Sequence, residues 1–231
     1  KTKVEPTLQE APGVYNDTIL AGLDYLLMEM GKRKMLAVLY LNNSWEWSGG
    51  YGYYLEQAGL GQAPRPNEDG YPAFMNFVAK YASCEKAHQL FYDYVKFILT
   101  RTNRYTKKKY KDDPAIMSWQ IGNEPRAFSK EQLPAFEKWL GEASKLIRSL
   151  DKNHLISIGS EGKWGCEGEL NCWERICADK NVDYCNIHLW PYNWSWARKD
   201  HLQEDLGISC QNTKEYIDEH LEVCGRIRKP L

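Results

Sequence analysis

The sequence lacks an excess of charge of either sign. Its 30 Lys and Arg residues face 31 Asp and Glu residues, and the formal net charge at pH 7 is −1. Nucleic acids and anionic membrane surfaces attract proteins through strongly basic faces, so we expect neither as a partner. No apolar run approaches the roughly 20 residues that a membrane span needs. Residues 1–6 are not followed by the apolar stretch of a signal peptide, which is compatible with a mature secreted protein.

Motifs that hold cofactors and metals are missing as well. The sequence has no GxGxxG phosphate turn, and we expect no cofactor. Four of the seven cysteines, Cys166, Cys172, Cys177 and Cys185, lie close together, but their spacing matches no CxxC zinc pattern. We therefore expect no metal site. We interpret the group as one or two local disulfides, with buried free thiols as the alternative.

Phenylalanine is scarce, whereas the other aromatic residues are abundant. The chain has 6 Phe but 9 Trp and 15 Tyr. Trp and Tyr combine an apolar ring with a polar group, and this excess favours a hydrated groove with apolar walls. Sugar rings have apolar faces that stack on such walls.

Helical patterns alternate with short apolar segments along the chain. The spacing of apolar residues predicts helices over 16–30, about 85–105, 130–150 and 212–225. Continuous apolar runs predict buried strands over 35–41, 115–121, 155–158 and 182–188. The segment 42–72 is rich in Gly and Pro, and we predict a long functional loop there. This alternation indicates parallel βα units.

Polar and aromatic residues follow each of the four predicted strands, at 42–45, 123–126, 160–164 and 188–192. In a (β/α)8 barrel, functional residues lie at the carboxyl ends of the strands. A doubly wound sheet more often has a Gly-rich phosphate turn after a strand. We therefore predict a (β/α)8 barrel. The 231 residues are slightly fewer than the roughly 250 of a complete barrel.

Glu124 directly follows the predicted strand 115–121 and the pair Gly122-Asn123. Hydrolysis of a glycosidic bond needs two carboxyl groups, one of them protonated beside the leaving oxygen. Partial burial at a strand end raises the pKa of a carboxyl group. Glu124 is therefore a candidate general acid, and the amide of Asn123 can bind a sugar hydroxyl.

Four motifs together resemble the β-mannanases of glycoside hydrolase family 5, in clan A. Residues 121–126, Ile-Gly-Asn-Glu-Pro-Arg, resemble the end of the family's fourth strand. The segments 41–50, 158–162 and 188–194 resemble the ends of its third, fifth and sixth strands. The resemblance covers nearly the whole chain and implies a partial barrel containing strands 3 to 6.

The resemblance also implies a role for each matching residue. Glu124 would be the general acid/base of a retaining mechanism, and Asn123 would bind the 2-hydroxyl at the cleavage site. Glu161 would bind sugar on the leaving-group side, and His188 would join the hydrogen bonds around the catalytic carboxylates. Trp45 and Trp194 would line the groove. The remaining histidines, His88, His154, His201 and His220, are expected to be solvated.

Two departures from the family pattern stand out. Many members carry a Tyr that orients the nucleophile where this chain has Trp190, whose indole donates a hydrogen bond but cannot accept one. The family's first two strands, and the seventh strand with its nucleophilic Glu, have no match in residues 1–231. We therefore expect a single catalytic domain truncated at both ends, with the nucleophile beyond Leu231. A barrel with open edges is expected either to self-associate or to be completed by another segment.

The resemblance implies endo-hydrolysis of β-1,4-mannan, glucomannan or galactomannan by a secreted or cell-envelope protein. One alternative is a β-1,4-glucanase of the same family, although many of these carry a His on the third strand, where this chain has 42–45, Asn-Asn-Ser-Trp. A non-catalytic sugar-binding fragment or pseudoenzyme is the other alternative, because the nucleophile motif is missing.

Overall fold

The computed structural model describes residues 5–231. A short antiparallel pair, β1 (Gln9–Ala11) and β2 (Val14–Tyr15), precedes the sheet strands β3 (Ala37–Tyr40), β4 (Ile116–Gln120) and β5 (Leu155–Ser157). The helices are α1 (Asp17–Lys32), α2 (Gly50–Ala58), α3 (Pro66–Asp69), α4 (Tyr71–Val78), α5 (Glu85–Thr100), α6 (Leu133–Leu150), α7 (Leu170–Ala178) and α8 (Leu202–Ile227).

The sheet is parallel and runs in the order β3-β4-β5. Trp119 in the central strand pairs in register with Leu39 and Ile156. Trp119 and Ile156 are fully buried, whereas Val38 and Tyr40 are 40% and 54% exposed. Because side chains alternate between the two faces of a strand, one face forms the core, whereas the other face is open at β3 and covered at Ser118. This arrangement is a partial (β/α)8 barrel.

Helix α1 shows how local chemistry sets an element. The side chain of Asn16 accepts hydrogen bonds from the backbone amides of Thr18 and Ile19, which caps the first turn. Leu20 and Leu27 face the core at helical spacing. The helix therefore begins and ends within two residues of its predicted bounds.

The prediction of a long loop over 42–72 is wrong, because this segment contains α2, α3 and the start of α4. Gly50 and Gly52 make this part of the sequence resemble a turn. A Cβ at Gly50 would lie 2.0 Å from the carbonyl oxygen of Asn43, and its φ is +47°. Glycine is therefore needed for a close approach, and tertiary packing outweighs its low helix propensity.

The predicted strand 182–188 is also not a regular strand in the described chain. Side chains replace part of the ladder along β5. The amide of Ile156 donates to Oδ2 of Asp183 at 2.7 Å, and the amide of Gly159 donates to Oδ1 of Asn186 at 2.8 Å. Backbone groups satisfied by side chains in this way do not form a strand pair. Of the predicted strands 3 to 6, three are present.

Two smaller expectations are also corrected. All seven cysteines are free thiols, so the disulfide interpretation is wrong and the buried-thiol alternative holds for Cys166, Cys172, Cys177 and Cys185. His88, His154 and His220 are buried rather than solvated. Each has a hydrogen-bond partner that offsets the cost of burial, such as Asp151 for His154.

Candidate active site

A cleft of about 530 Å³ lies at the carboxyl ends of the three sheet strands. All the site residues predicted from the sequence line it, namely Trp45, Asn123, Glu124, Glu161, His188, Trp190 and Trp194. The strands place these residues together because parallel strands end at one edge of the sheet. Five positions that the sequence analysis did not single out for this cleft also line it: Trp47, Tyr71, Met75, Arg126 and Asn193.

Glu124 has an unusual backbone conformation, with a φ of +51°. Its amide donates to the carbonyl of Gly159 at 2.8 Å, and its own carbonyl accepts a hydrogen bond from the hydroxyl of Ser44. Segments following β3 and β5 thus hold the residue from both sides. A left-handed conformation is costly for a residue with a side chain, and these bonds keep it in place.

Three N–H groups converge on the buried carboxylate of Glu124. Oε1 accepts from Nδ1 of His188 at 2.8 Å and from the indole of Trp190 at 2.7 Å. Oε2 accepts from the indole of Trp45 at 2.7 Å. These bonds give Trp190 a role that the family pattern did not predict, because its indole contacts Glu124 itself.

The electrostatics of Glu124 differ from the sequence-based expectation. Burial raises the pKa of this carboxyl group, but the three N–H donors outweigh burial and hold the pKa below its ordinary value. Hydrogen bonds to the charged form of an acid favour that form. In this structure Glu124 is therefore a stabilised carboxylate, and the predicted upward pKa shift is wrong.

Asn123 is held beside Glu124 by the loop that follows β3. Its side-chain amide donates to Oδ1 of Asn43 at 3.3 Å, and its backbone amide donates to the carbonyl of Asn42 at 2.8 Å. Asn43 in turn donates to the hydroxyl of Ser48 at 2.7 Å. The Asn-rich motif after β3 thus orients the amide that precedes the acidic residue.

Glu161 is the second carboxyl group that lines the cleft. Its side chain is 4% exposed, and no described residue forms a hydrogen bond with its Oε2. The nearest cation is Nη1 of Arg126, at 3.7 Å, while the same guanidinium donates to Glu167 at 3.0 Å. Burial, followed by the charge of Glu124, raises the pKa of Glu161 to about 7. Glu161 therefore carries a proton over much of the acidic range.

Aromatic rings form both ends of the cleft. The rings of Trp45 and Trp47 stack at 5.7 Å with an angle of 17°. At the other end, Trp164 and Trp194 lie 6.0 Å apart. Such rings suit the apolar faces of sugars. Tyr71 was missed because the segment before α4 was read as loop, although Phe74, Phe77 and Val78 have helical spacing and are buried.

Two negative findings concern the described residues alone. Within 5–231, no group of three or more His, Cys, Asp or Glu side chains is arranged to hold a metal ion. Over the same range, no helix combines the length and apolar character of a membrane span.

Comparison with known proteins agrees with the fold. The family model described as a glycoside hydrolase family 5 β-mannosidase-like domain matches residues 1–231. Mannan endo-1,4-β-mannosidase 4 of Solanum lycopersicum is 31% identical over 233 residues, which cover 97% of this chain and 54% of that protein. The crystal structure of a glycoside hydrolase family 5 mannosidase from Rhizomucor miehei is 31% identical, with a TM-score of 0.86, and the match covers 99% of this chain and 54% of that one.

The chain belongs to glycoside hydrolase family 5, in its β-mannosidase-like group. It spans about half the length of the relatives it matches. A third relative, mannan endo-1,4-β-mannosidase 1 of Arabidopsis thaliana, has the same proportions, at 31% identity over 97% of this chain and 53% of its own length.

Proposed function

We propose that this chain forms the acid/base half of the active site of a retaining endo-β-1,4-mannanase that acts on mannan, glucomannan or galactomannan. One observation carries the proposal: the carboxylate of Glu124 lies at the end of β4, buried at the base of an aromatic-walled cleft and fixed by three N–H donors. The names of the relatives, which are mannan endo-1,4-β-mannosidases, support the choice of substrate.

In this proposal Glu124 gives a proton to the leaving oxygen and later removes one from the attacking water. Asn123 beside it binds the 2-hydroxyl of the sugar being cleaved. Glu161 and Trp194 contact sugar on the leaving-group side, and Trp45 forms the opposite wall. His188 and Trp190 hold the ionised form of Glu124, which is the form that acts as base in the second step.

The covalent step needs a second carboxylate about 5 Å from the first. Glu161 suits that role poorly, because a carboxyl group with a pKa of about 7 is about half protonated at neutral pH and mostly protonated at acidic pH, and the protonated form is a weak nucleophile. We propose that the nucleophile is a Glu in a segment that follows Leu231. Its negative charge would raise the pKa of Glu124 by repulsion, and this would give Glu124 the proton that the first step requires.

The test uses a protein that includes the expected seventh and eighth strands. Glu124→Gln is predicted to lower the release of reducing sugar from mannan by roughly 10²- to 10⁴-fold, the usual contribution of general acid catalysis. Aryl mannosides with good leaving groups need little protonation, so their glycosylation step should be spared. Glu169→Gln, at an exposed residue paired with Lys130, is the matched control. Full activity of Glu124→Gln on both substrates would reject the assignment.

A non-catalytic sugar-binding chain is the second candidate, and one observation favours it. The carboxyl groups lining the described cleft are Glu124 and Glu161 alone, and the second is protonated at mildly acidic pH. Binding of mannohexaose by residues 1–231, without release of reducing sugar from the extended protein, would support this candidate. Faster cleavage of carboxymethylcellulose than of mannan would instead indicate a β-1,4-glucanase.

We also propose that the protein is secreted or held in the cell envelope, because a polysaccharide substrate lies outside the cytoplasm. Detection of the native protein in culture medium or in an envelope fraction tests this location.

A further inference from the structure

Helix α8 touches the loop that carries Glu161 at two points. The hydroxyl of Tyr216 donates to the carbonyl of Glu161 at 2.5 Å, and Nε2 of His220 accepts from the amide of Lys163 at 3.0 Å. Between them, Gly162 has a φ of +90°, and a Cβ there would lie 2.6 Å from both Nε2 of His220 and the hydroxyl of Tyr216. The helix thus approaches this loop as closely as a glycine allows.

Two backbone groups fix the protonation state of His220. Because the amide of Lys163 is a donor, Nε2 has to be an acceptor without a proton. Nδ1 lies 2.6 Å from the carbonyl of Tyr216, and the proton therefore sits on Nδ1. A second proton would have to sit on Nε2, where it would face the N–H of Lys163. Protonation of His220 is therefore incompatible with this contact.

The surroundings of His220 oppose that second proton. The side chain is fully buried, with the rings of Tyr216 at 4.2 Å and of Trp173, on α7, at 4.6 Å. The neighbouring charges are Glu219, whose Oε1 lies 3.6 Å from Nδ1, and the ammonium of Lys163, which pairs with Glu219 at 2.5 Å. Burial lowers the pKa of His220 and outweighs the hydrogen bond to Tyr216 and the charge of Glu219.

We infer that His220 is a positioning residue for Glu161: its neutral imidazole holds the loop 161–163 in place, and its protonation at acidic pH releases the loop and weakens sugar binding at Glu161. This inference rests on the proposed function for the role of Glu161 in binding. The contact between imidazole and loop stands on the geometry alone.

The binding test uses the full chain and mannohexaose, measured by calorimetry from pH 7.5 to pH 4, because burial lowers the pKa of His220. Glu161 titrates in the same range in every variant, so the comparison is between wild type and His220→Gln. The Gln carbonyl can accept from the amide of Lys163 at any pH in this range. We expect affinity to fall roughly tenfold more in wild type than in His220→Gln, which corresponds to one hydrogen bond exchanged for a repulsion. His201→Gln, at an exposed histidine, should behave as wild type.

The loss of the acceptor is tested by His220→Leu, which should bind mannohexaose weakly at every pH where it is folded. Equal pH dependence in wild type and His220→Gln would overturn the inference, as would wild-type affinity in His220→Leu. If His220→Leu does not fold, the difference in pH dependence between wild type and His220→Gln tests the inference.

A second measurement needs neither sugar nor variant. In NMR spectra of the wild-type chain, the amide resonance of Lys163 should shift with the same midpoint as the imidazole of His220. A Lys163 amide that is unaffected by the titration of His220, or a His220 that stays neutral until the chain unfolds, would overturn the inference. Absence of mannohexaose binding in all variants would instead reject the proposed function. The NMR result would still test the contact between His220 and the amide of Lys163.

Discussion

The ends of β4 and β5 carry one glutamate each, and the pKa values of the two are shifted in opposite directions. Glu124 is surrounded by N–H donors and is held as a carboxylate. Glu161 is equally buried, but its Oε2 has no hydrogen-bond donor among the described residues, and its pKa is raised to about 7. Burial alone therefore does not decide the charge of a carboxyl group in a cleft. The hydrogen-bond donors around it and the charges beside it contribute as well.

The largest expected effect concerns the cost of ionising Glu161. Its pKa is raised in the folded chain, so its contribution to stability is present below the unfolded pKa and is lost as pH rises through about 7. Glu161→Gln removes this dependence, because the amide resembles the protonated acid. Between pH 5 and pH 8 the free energy of unfolding of wild type should fall by about 2.5 kcal/mol relative to the variant.

Urea unfolding at several pH values measures this difference. Glu131→Gln, at an exposed residue near the start of α6, is the control. Parallel pH curves for wild type and Glu161→Gln would contradict a protonated Glu161.

A smaller effect is expected from removing one donor at Glu124. Trp190→Phe keeps an aromatic ring but deletes the indole N–H that lies 2.7 Å from Oε1. A hydrogen bond to a charged group contributes about 1.5 to 3 kcal/mol, so the pKa of Glu124 should rise by roughly one unit or more. Carboxyl titration by ¹³C NMR measures the shift.

Trp164→Phe is the matched control for that variant, because the indole nitrogen of Trp164 has no partner among the described residues. Its replacement should leave the titration of Glu124 unchanged. An unchanged titration in Trp190→Phe as well would mean that this indole does not set the charge of the carboxylate.

The smallest effect should come from Arg126, which lies 3.7 Å from Glu161 and lowers its pKa by charge attraction. Arg126→Gln should raise the pKa of Glu161 by less than about one unit, because the guanidinium is already engaged by Glu167 and partly solvated. The same NMR titration reports it. A downward shift of the pKa would show that Arg126 acts on Glu161 otherwise than by its charge.

The positions of both glutamates were predictable from sequence, whereas their charges were not. An apolar run followed by Asn123-Glu124 marks a strand end, and parallel strand ends meet at one edge. The donors to Glu124 come from Trp45, His188 and Trp190, which lie 79, 64 and 66 residues away in sequence. The strand-end pattern and the family resemblance suggested that these side chains share a cleft, but local spacing contains no information on which atoms make such distant contacts.

The same reasoning explains the two errors in secondary structure. Helix α2 was missed because Gly50 serves close packing against Asn43 and Gly52 packs against Ala63, and neither forms a turn. The strand 182–188 was overpredicted because Asp183 and Asn186 bond the backbone of the neighbouring segment through their side chains. Apolar spacing predicts well which residues are buried. It does not show which atoms form hydrogen bonds with the backbone.

Those two side chains have a consequence for how the sheet can grow. Asp183 and Asn186 occupy amides along the outer side of β5, so an incoming strand finds few free groups there. In the described part of the chain, β3 pairs only with β4, and its other side keeps unpaired backbone groups beside exposed Val38 and Tyr40. An exposed edge is a template for strand addition. Strand addition at β3 can therefore use these groups directly, whereas on the β5 side a further strand has to lie against the segment around Cys185, whose amide donates to the carbonyl of Pro230.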